Sequence, residues 1–463
     1  MRMLIITDAT RILVDAETEL EGDEARRFVV SETVPTSRTA PSTDATPTTA
    51  ATPATATTAA TSTEHLDAAG CVITPGLVNA HHHLLQTAFR TFPGTRGVPM
   101  HVWLPTMAAA YAAIGIDPES AGVAARAGVA EGLLSGVTTI ADHHLNWPAG
   151  ASVDDTVAIA RSTADAARGL GARLAFVRGS ARDDPEQAAA SADAIATALL
   201  SGAGDGDGVT EDGLLQVAVG PAGVHSDSEA TFRLLGEVAA AHGLRRRTQA
   251  NEQVDVAIAL EKYGRRPIAL LEEWGWLADD VTVAHLCAVT DDEIALLAER
   301  GVTATHAPGC DLPMGWGIAP VAALRAAGIT VGLGTSGGGS NDAGHLLADA
   351  RLALQVAPLV GPPLDARTVL GMATEGSATG LGRAELGHLR PGAAADLCVW
   401  DVTGVADAGV ADPIAGLLWT NPGRRPRHVV VAGRVVVKDY ELVGHDERAL
   451  AADVAELLAA RVR

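Results

Sequence analysis

Short apolar runs alternate with Ala-rich amphipathic stretches from about residue 120 to about residue 390. The runs VTTIADHH, LQVAVGPAGVHS, VTVAHL, VTATHA and ITVGLGTS are typical of buried strands, and ESAGVAARAGVAEGLLSG is typical of a helix. Repeated strand and helix units favour a parallel sheet. Polar residues cluster where the runs end, so the pattern predicts a TIM (β/α)8 barrel with its active site at that face. A doubly wound sheet would also alternate, but the early Gly-rich phosphate loop typical of that fold is missing from the sequence.

Both chain ends have a different pattern. GHLRPGAAADLCVWDV and RHVVVAGRVVVKDYELVG are typical of short strands with tight turns, and an Ala-rich helix follows them. We predict that residues 1–75 and 386–463 form one small β-sandwich domain around a barrel of residues 76–385. Residues 34–63 consist almost entirely of Thr, Ala, Pro and Ser, which is too little apolar bulk to offset ordering entropy, and they predict a low-complexity surface insertion.

Composition narrows the class of protein. The 463 residues exceed a usual single domain, so two or three separate domains compete with one large barrel. A net charge of −22 repels nucleic acid and anionic membranes. The first residues lack the long apolar run of a secretory signal, and no transmembrane-length run follows, so we expect a cytoplasmic protein. The four cysteines form no Cys-x-x-Cys pair, which argues against a zinc ribbon and a disulfide framework.

Three consecutive histidines, His81, His82 and His83, follow the apolar run VITPGLVNA. In a strand, side chains at i and i+2 share one face, so His81 and His83 can bind one metal ion while His82 points away. Two imidazoles held in this way make half of a metal site. The alternative is a polar loop that happens to carry three histidines.

These motifs resemble the amidohydrolase superfamily. PGLVNAHHH is similar to its first-strand His-x-His motif and VTVAHL to its sixth-strand His motif. HHHLLQTAFR and ADHHLNWP are similar to 8-oxoguanine deaminases, whereas THAPGCDLPMGWGIAPV and VGLGTSGGGSND resemble s-triazine hydrolases of the atrazine chlorohydrolase type. The resemblance covers most of the chain outside the low-complexity segment.

The resemblance implies one divalent metal, zinc or alternatively iron, with His81, His83, Gln249 and His285 at the ligand positions. Gln249 stands where the family has a histidine, and an amide oxygen is a weaker donor for zinc. Ser336 stands where most members have an aspartate that binds the metal and takes a proton from its water. Triazine hydrolases have another hydroxyl residue, Thr, at this position, so the resemblance implies a catalytic Ser336, although a plain loop residue is the alternative. Glu252 matches the glutamate that transfers protons, although a solvated surface acid is the alternative.

The expected ligands are all neutral, so the ion would keep its full charge and acidify water without an aspartate base. His285 would orient the attacking oxygen or polarise the ring, and Glu252 would protonate a ring nitrogen or departing amine. Chloride needs no proton on leaving. Loss of the aspartate therefore favours displacement of a good leaving group over purine deamination.

Four further residues are expected to contact substrate. Gln86, Trp103 and His143 match positions near the pocket of the resembling deaminases, and Trp103 offers a face for a flat heterocycle. His306 ends the run VTAT, where it either touches substrate or belongs to the wall. Arg245, Arg246 and Arg247 form a basic run of a kind that is usually solvated, although Arg247 stands where related enzymes often have another histidine.

The leading hypothesis is therefore a metal-dependent hydrolase that replaces an amino, alkylamino or chloro group on a triazine, purine or pyrimidine-like heterocycle. An amidohydrolase that opens a ring or cleaves an amide is one alternative. A metal-free barrel that binds a heterocycle or performs non-hydrolytic chemistry is another, motivated by Gln249 and Ser336. The resemblance also implies a homodimer, with a small-molecule heterocycle as the partner.

Overall fold

Eight parallel strands form the largest sheet of the computed structural model, which describes residues 2–31, 62–201, 206–252 and 254–461. Each of the six inner strands pairs with the barrel strand before it and the barrel strand after it in the sequence. The barrel strands are Leu77–His82, Val137–His144, Arg173–Ser180, Leu215–Pro221, Arg245–Ala250, Val281–His285, Thr303–His306 and Val331–Leu333. The predicted (β/α)8 barrel is therefore confirmed.

Backbone contacts between the first and eighth strands close the barrel. The amides of Thr335 and Ser336 both donate to the His81 carbonyl, at 3.0 and 2.9 Å, and the His83 amide donates to the Ser336 carbonyl at 3.2 Å. Gly334 allows this approach, because a Cβ there would lie 2.7 Å from the Cβ of His81. Closure thus places Ser336 beside the two histidines.

Helices cover the outside of the barrel and connect its strands. The α-helices are Met100–Ile114, Pro118–Leu134, Val153–Leu170, Pro185–Leu199, Glu229–His242, Val254–Tyr263, Pro267–Glu273, Asp291–Glu299, Pro308–Asp311, Val321–Ala326, Leu346–Val356, Ala366–Gly371, Ser377–Gly380, Pro413–Trp419 and Glu447–Arg461. Shorter turns of 3-10 helix are Gly22–Ala25, Leu84–Phe89, Ala357–Leu359 and Val405–Asp407, and Met372–Gly376 is a π-helical turn. Among the described residues, no helix is long and apolar enough to cross a membrane.

The second part of the fold consists of two smaller sheets. One has seven strands in the spatial order Glu441–Leu442, Arg434–Lys438, His428–Val431, Leu397–Asp401, Cys71–Pro75, Arg11–Leu13 and Glu19–Glu21. The other has three, Arg27–Ser31, Arg2–Thr7 and Ser62–Asp67. An apolar cluster that includes Ile6, Leu66, Ile73 and Val399 lies between them. Both chain ends therefore build the predicted β-sandwich.

In the N-terminal segment, one detail was not predicted and one differs from the predicted bounds. The apolar stretch from Met3 to Val14 forms two strands in different sheets, because Asp8 has a left-handed backbone (φ 62°) and turns the chain. Of the expected insertion 34–63, residues 34–61 lie outside the described residues, whereas Ser62 and Thr63 begin the strand Ser62–Asp67. That strand pairs with Arg2–Thr7, which accounts for the earlier end of the segment.

Candidate active site

His81 and His83 lie together at the mouth of the barrel, at the end of the first strand. Their ring centroids are 4.9 Å apart. The His83 Nδ1 is 2.7 Å from the His143 carbonyl, so it carries the proton and leaves a lone pair on Nε2. Nε2 of His81 is buried without a hydrogen-bond partner. Burial lowers the pKa of both rings, that of His83 to about 4, so both are neutral donors near pH 7.

His82 takes a different direction, as the alternation along a strand requires. Its Nδ1 is 2.9 Å from the Thr335 hydroxyl, which also accepts a hydrogen bond from the Asn79 amide at 2.7 Å. This buried network ties the first strand to the eighth. His82 therefore supports the barrel and does not face the other histidines.

Gln249 and His285 meet on the opposite side of the mouth. The Gln249 side-chain nitrogen donates to the Ala222 carbonyl at 3.1 Å, which turns its oxygen toward Nε2 of His285, also at 3.1 Å. The rings of His285 and His81 are 5.3 Å apart. The amide therefore presents its oxygen, the atom able to bind a cation, to the histidines.

Glu252 is a buried carboxyl 3.7 Å from Nε2 of His285. Its Oε2 has no hydrogen-bond partner among the described residues. Burial raises the pKa of Glu252 to about 8, and the facing His285 acts in the opposite direction. A carboxyl with this pKa holds a proton near neutral pH and can donate it. Because Glu252 is buried, the alternative of a solvated surface acid is wrong.

Asp311 completes the surroundings of His285 and was not predicted. The His285 Nδ1 is 2.6 Å from a carboxylate oxygen of Asp311. Burial works to lower the pKa of His285, but the carboxylates of Asp311 and Glu252 outweigh it and raise the pKa. The contact with Asp311 also fixes the ring so that Nε2 points toward Gln249.

Strained backbone concentrates around these side chains. Asn251, His285, Leu286 and Ser336 all have positive φ, between 55 and 76°. Non-glycine residues rarely adopt this conformation, which costs about 1–3 kcal/mol and clusters at functional sites. The strain therefore coincides with the ends of the fifth, sixth and eighth strands, where the predicted chemistry lies.

A cavity of about 190 Å³ opens onto the site. The residues that line it include His83, Gln249, Glu252 and Ser336. Its walls are mostly apolar or aromatic, with a few polar groups, as in small-molecule sites. The wall residues include Gln86, Met100, Trp103, Met107, Tyr111, Asn146, Arg182, His225, Cys310, Met314 and Trp316.

Two of the four residues expected to contact substrate line this cavity, and two do not. Gln86 donates to the Tyr111 hydroxyl at 2.9 Å, and Trp103 donates to the Gly339 carbonyl at 3.0 Å. His143 lies behind the wall, where its Nε2 is 2.7 Å from the Gly220 carbonyl. His306 is buried 3.8 Å from Asp311. Both therefore lie one layer behind the residues that line the cavity.

Arg247 corrects the expectation of a solvated basic run. Its side chain is buried beneath the site, and one guanidinium nitrogen donates to the Ala80 carbonyl while another has no partner among the described residues. Burial lowers its pKa to about 9, so it remains a cation near pH 7. Its charge would oppose that of a metal ion bound to the histidines, whereas the carboxylate of Asp311 would offset that charge.

The donor set fits a divalent metal of the zinc class. Zinc binds imidazole nitrogen, thiolate and carboxylate oxygen, and the orphaned Nε2 of His81 faces other imidazoles. Of the His, Cys, Asp and Glu side chains in the described part of the chain, one group of three brings its donor atoms within 4.8 Å of one another, namely His285, Cys310 and Asp311. This group differs from the predicted ligand set.

Several residues of the site were missed from the sequence. Cys310 and Asp311 stand in the motif THAPGCDLPM, directly after the His306 strand, where a short polar group was a usable signal. His225 ends the run LQVAVGPAGVHS in the same way. Tyr111 lies within a helix and carried no such signal, whereas Arg182 follows the third barrel strand, Arg173–Ser180, whose run is not among those quoted above.

Comparison with known proteins gives the family. The model of the amidohydrolase family matches residues 72–436. An 8-oxoguanine deaminase of Pseudomonas aeruginosa is 34% identical, over 83% of this chain and 86% of the relative. A 5-methylthioadenosine/S-adenosylhomocysteine deaminase of Halobacterium salinarum is 32% identical, over 86% of this chain and 89% of the relative.

Solved structures agree with the sequence relatives. The atrazine chlorohydrolase of Arthrobacter aurescens TC1, complexed with zinc, is 31% identical with a TM-score of 0.80, and the match covers 98% of this chain and 100% of that one. A mutant of the same enzyme, complexed with zinc and atraton, matches with the same identity, TM-score and coverage. The family match, the relatives and the barrel lead to one conclusion: this chain belongs to the amidohydrolase family, whose members here are enzymes that act on nitrogen heterocycles.

Proposed function

We propose that this protein is a metal-dependent hydrolase that replaces an amino, alkylamino or chloro group on a nitrogen heterocycle by water. The observation that carries the proposal is the meeting of the His81 and His83 donors, the Gln249 oxygen and the protonatable Glu252 at one small cavity. The relatives are named for 8-oxoguanine, methylthioadenosine and atrazine, which share a flat nitrogen heterocycle.

The ion would be held by His81, His83, Gln249 and His285. Zinc is the leading candidate for this ion, and iron is the alternative. When bound, the ion supplies Lewis acidity that lowers the pKa of water. Trp103 and the apolar wall exclude solvent and pack against the flat face of the substrate heterocycle. Gln86 lines the same cavity, and its hydrogen bond to Tyr111 fixes its side chain. Small apolar sites with a few polar groups orient ligands in this way.

Glu252 moves the proton. Its carboxyl is held beside His285 and carries a proton near pH 7, which it gives to a ring nitrogen or to a departing amine. His285, fixed by Asp311, points its Nε2 at the same region and orients the attacking oxygen or the ring. A departing chloride takes no proton, so Glu252 matters less for that leaving group.

Replacing Glu252 tests this assignment. We expect Glu252→Gln to lower turnover of a substrate that releases ammonia by about 10²–10⁴-fold, because general acid–base catalysis contributes that much. The loss should be smaller for a chlorinated triazine. Ammonia and chloride release from 8-oxoguanine, methylthioadenosine and atrazine would be measured side by side.

The exposed Glu261 provides the control, since Glu261→Gln makes the same chemical replacement away from the cavity. Equal circular dichroism and equal metal content would show that both variants fold. Unchanged ammonia release by Glu252→Gln would contradict the role of Glu252 as proton carrier.

A metal-free heterocycle-binding barrel is the second candidate, favoured by the buried positive charge of Arg247 beneath neutral ligands. Elemental mass spectrometry of protein purified without added metal or chelator separates the two. About one zinc or iron per chain supports the hydrolase. Near-zero metal, with no binding when zinc is added, supports the metal-free barrel.

A further inference from the structure

Cys310, Asp311 and His285 bring a thiol, a carboxylate and an imidazole together beside the predicted ligands. Their donor atoms lie within 4.8 Å of one another, and all three side chains are at most 1% exposed. Cys310 and Asp311 belong to the short helix Pro308–Asp311, which follows the seventh strand. Thiolate, imidazole and carboxylate are the three ligand types that zinc takes from proteins.

A second observation shows that the cluster has an unused donor. One oxygen of Asp311 holds the His285 ring at 2.6 Å, while Oδ2 has no hydrogen-bond partner in the described part of the chain. Nδ1 of His306 lies 3.8 Å from this oxygen, and the thiol of Cys287 also lies beside the Asp311 carboxylate. A fully buried carboxylate oxygen without a partner is costly, and a cation nearby would relieve that cost.

The position of Cys310 connects the cluster to the cavity. Cys310 lines the same cavity as His83, Gln249 and Glu252, and the hydroxyls of Ser336 and Ser340 face its thiol. Ser336 stands where the family resemblance leads one to expect a metal-binding aspartate. The thiol of Cys310 therefore lies next to Ser336, the position at which the family's aspartate would supply a negative charge.

The charges also call for an anionic ligand here. His81, His83 and Gln249 offer neutral donor atoms, and the buried guanidinium of Arg247 lies close to them. A doubly charged ion with neutral ligands only, above a buried cation, is electrostatically unfavourable. One thiolate in direct contact with the ion would reduce this repulsion.

We propose that Cys310 supplies a thiolate ligand to the divalent ion that His285 also binds, in place of the carboxylate that the eighth strand lacks. This inference rests on the proposed function, since it concerns the same ion. On binding, the S–H bond of Cys310 breaks, a sulfur–metal bond forms, and the proton passes to solvent, so the metal is neither oxidised nor reduced. Asp311 positions His285 and offers Oδ2 as a further donor.

X-ray absorption of the zinc-loaded full-length protein tests the ligand directly. A zinc–sulfur distance of about 2.3 Å, distinct from zinc–nitrogen distances of about 2.0–2.1 Å, is expected in the wild-type protein. Cys310→Ser should lose the sulfur signal and weaken zinc binding by at least about tenfold, as losing even a supporting contact often costs 10–100-fold. Cys287→Ser is the matched control, because Cys287 also lies beside Asp311, and it should keep the sulfur signal.

The outcomes separate this inference from the proposed function. Bound zinc with only nitrogen and oxygen neighbours in the wild type overturns the role of Cys310 and leaves the hydrolase standing. A sulfur signal that is lost in Cys287→Ser and kept in Cys310→Ser overturns it too. Failure of the wild type to bind zinc overturns both. If Cys310→Ser does not fold, the absorption spectrum of the cobalt-loaded wild-type protein is the test. A sulfur ligand adds a near-ultraviolet charge-transfer band to that spectrum, and absence of the band contradicts the proposal.

Discussion

Gln249 shows how one donor atom decides the strength of a metal site. Its nitrogen is held by the Ala222 carbonyl, so its oxygen is fixed toward His285. An amide oxygen is a harder and weaker donor for zinc than imidazole nitrogen. Replacement by histidine would therefore restore a stronger donor at a position that already faces the other ligands.

We expect Gln249→His to tighten zinc binding by about tenfold or more, measured by competition with a chromophoric chelator. Gln187→His is the control, because Gln187 lies on the outer helix Pro185–Leu199 and should leave the zinc affinity unchanged. Equal affinity of Gln249→His and wild type would show that Gln249 lies outside the coordination sphere.

The sequence indicates residues whose position follows from strand alternation. His81 and His83 share a face because they are two residues apart, and His285 ends an apolar run. The contact between His285 and Asp311 joins residues 26 positions apart, one at the end of the sixth strand and one on the helix Pro308–Asp311, and periodicity does not report such a pairing. The burial of Arg247 is hidden for a similar reason, since a run of three arginines is usually solvated.

At the scale of elements, the loop that carries Cys310 and Asp311 depends on one buried carboxyl. Asp349, on the helix Leu346–Val356, accepts hydrogen bonds from the Gly309 amide at 2.8 Å and from the Asn341 side chain at 3.1 Å. Burial raises the pKa of Asp349 from 3.8 to about 7, and Asp311 adds to the effect. The native state therefore keeps a proton that the unfolded chain releases.

This linkage predicts a pH dependence of stability. Because the folded pKa of Asp349 is raised, its contribution is complete below about pH 4 and is lost as the pH rises through about 7. We expect Asp349→Asn to remove part of the fall in unfolding free energy over this range, at most roughly 4 kcal/mol. Urea unfolding of metal-free protein across the range measures it.

Asp165→Asn, on the exposed face of the helix Val153–Leu170, should leave that pH profile as in the wild type. A profile for Asp349→Asn that runs parallel to the wild type would show that Asp349 is ionised in the native state already.

Element order was more predictable than element ends. The five quoted apolar runs each contain a barrel strand, because buried parallel strands are nearly continuous in apolar residues. The turn at Asp8 was missed, since a single left-handed residue inside an apolar stretch leaves no trace in the periodicity. The boundaries at residues 75 and 385 stay predictions.

At the scale of the whole molecule, the barrel and the β-sandwich share one core. Trp400 and Val429 of the sandwich belong to the same buried cluster as Val137 and Leu174 of the barrel. The Trp400 ring packs so closely on Gly136 that a Cβ there would lie 2.6 Å away. We therefore expect the two parts to unfold together. Light scattering would measure whether the protein forms the predicted homodimer.

An ion pair buried between the two parts tests this coupling. Arg173, on the third barrel strand, makes two hydrogen bonds to Asp396, at 2.8 and 2.9 Å, and both side chains are 4% exposed. Asp396 also accepts from the Ala432 amide at 2.7 Å. Removing Asp396 leaves a buried guanidinium without its counter-charge, which typically costs about 3–5 kcal/mol.

Asp396→Ala should therefore lower the unfolding free energy by about 3–5 kcal/mol in denaturant, with fluorescence and circular dichroism transitions still coincident. Glu237→Ala is the control, because its partner Arg233 and Glu237 itself are 59% and 60% exposed, and such pairs contribute less than about 1 kcal/mol. A single unfolding transition in Asp396→Ala, with the unfolding free energy lowered by about 3–5 kcal/mol, would support one cooperative unit. Two separate transitions in Asp396→Ala would mean that the sandwich unfolds independently and that the shared core contributes little to holding the parts together.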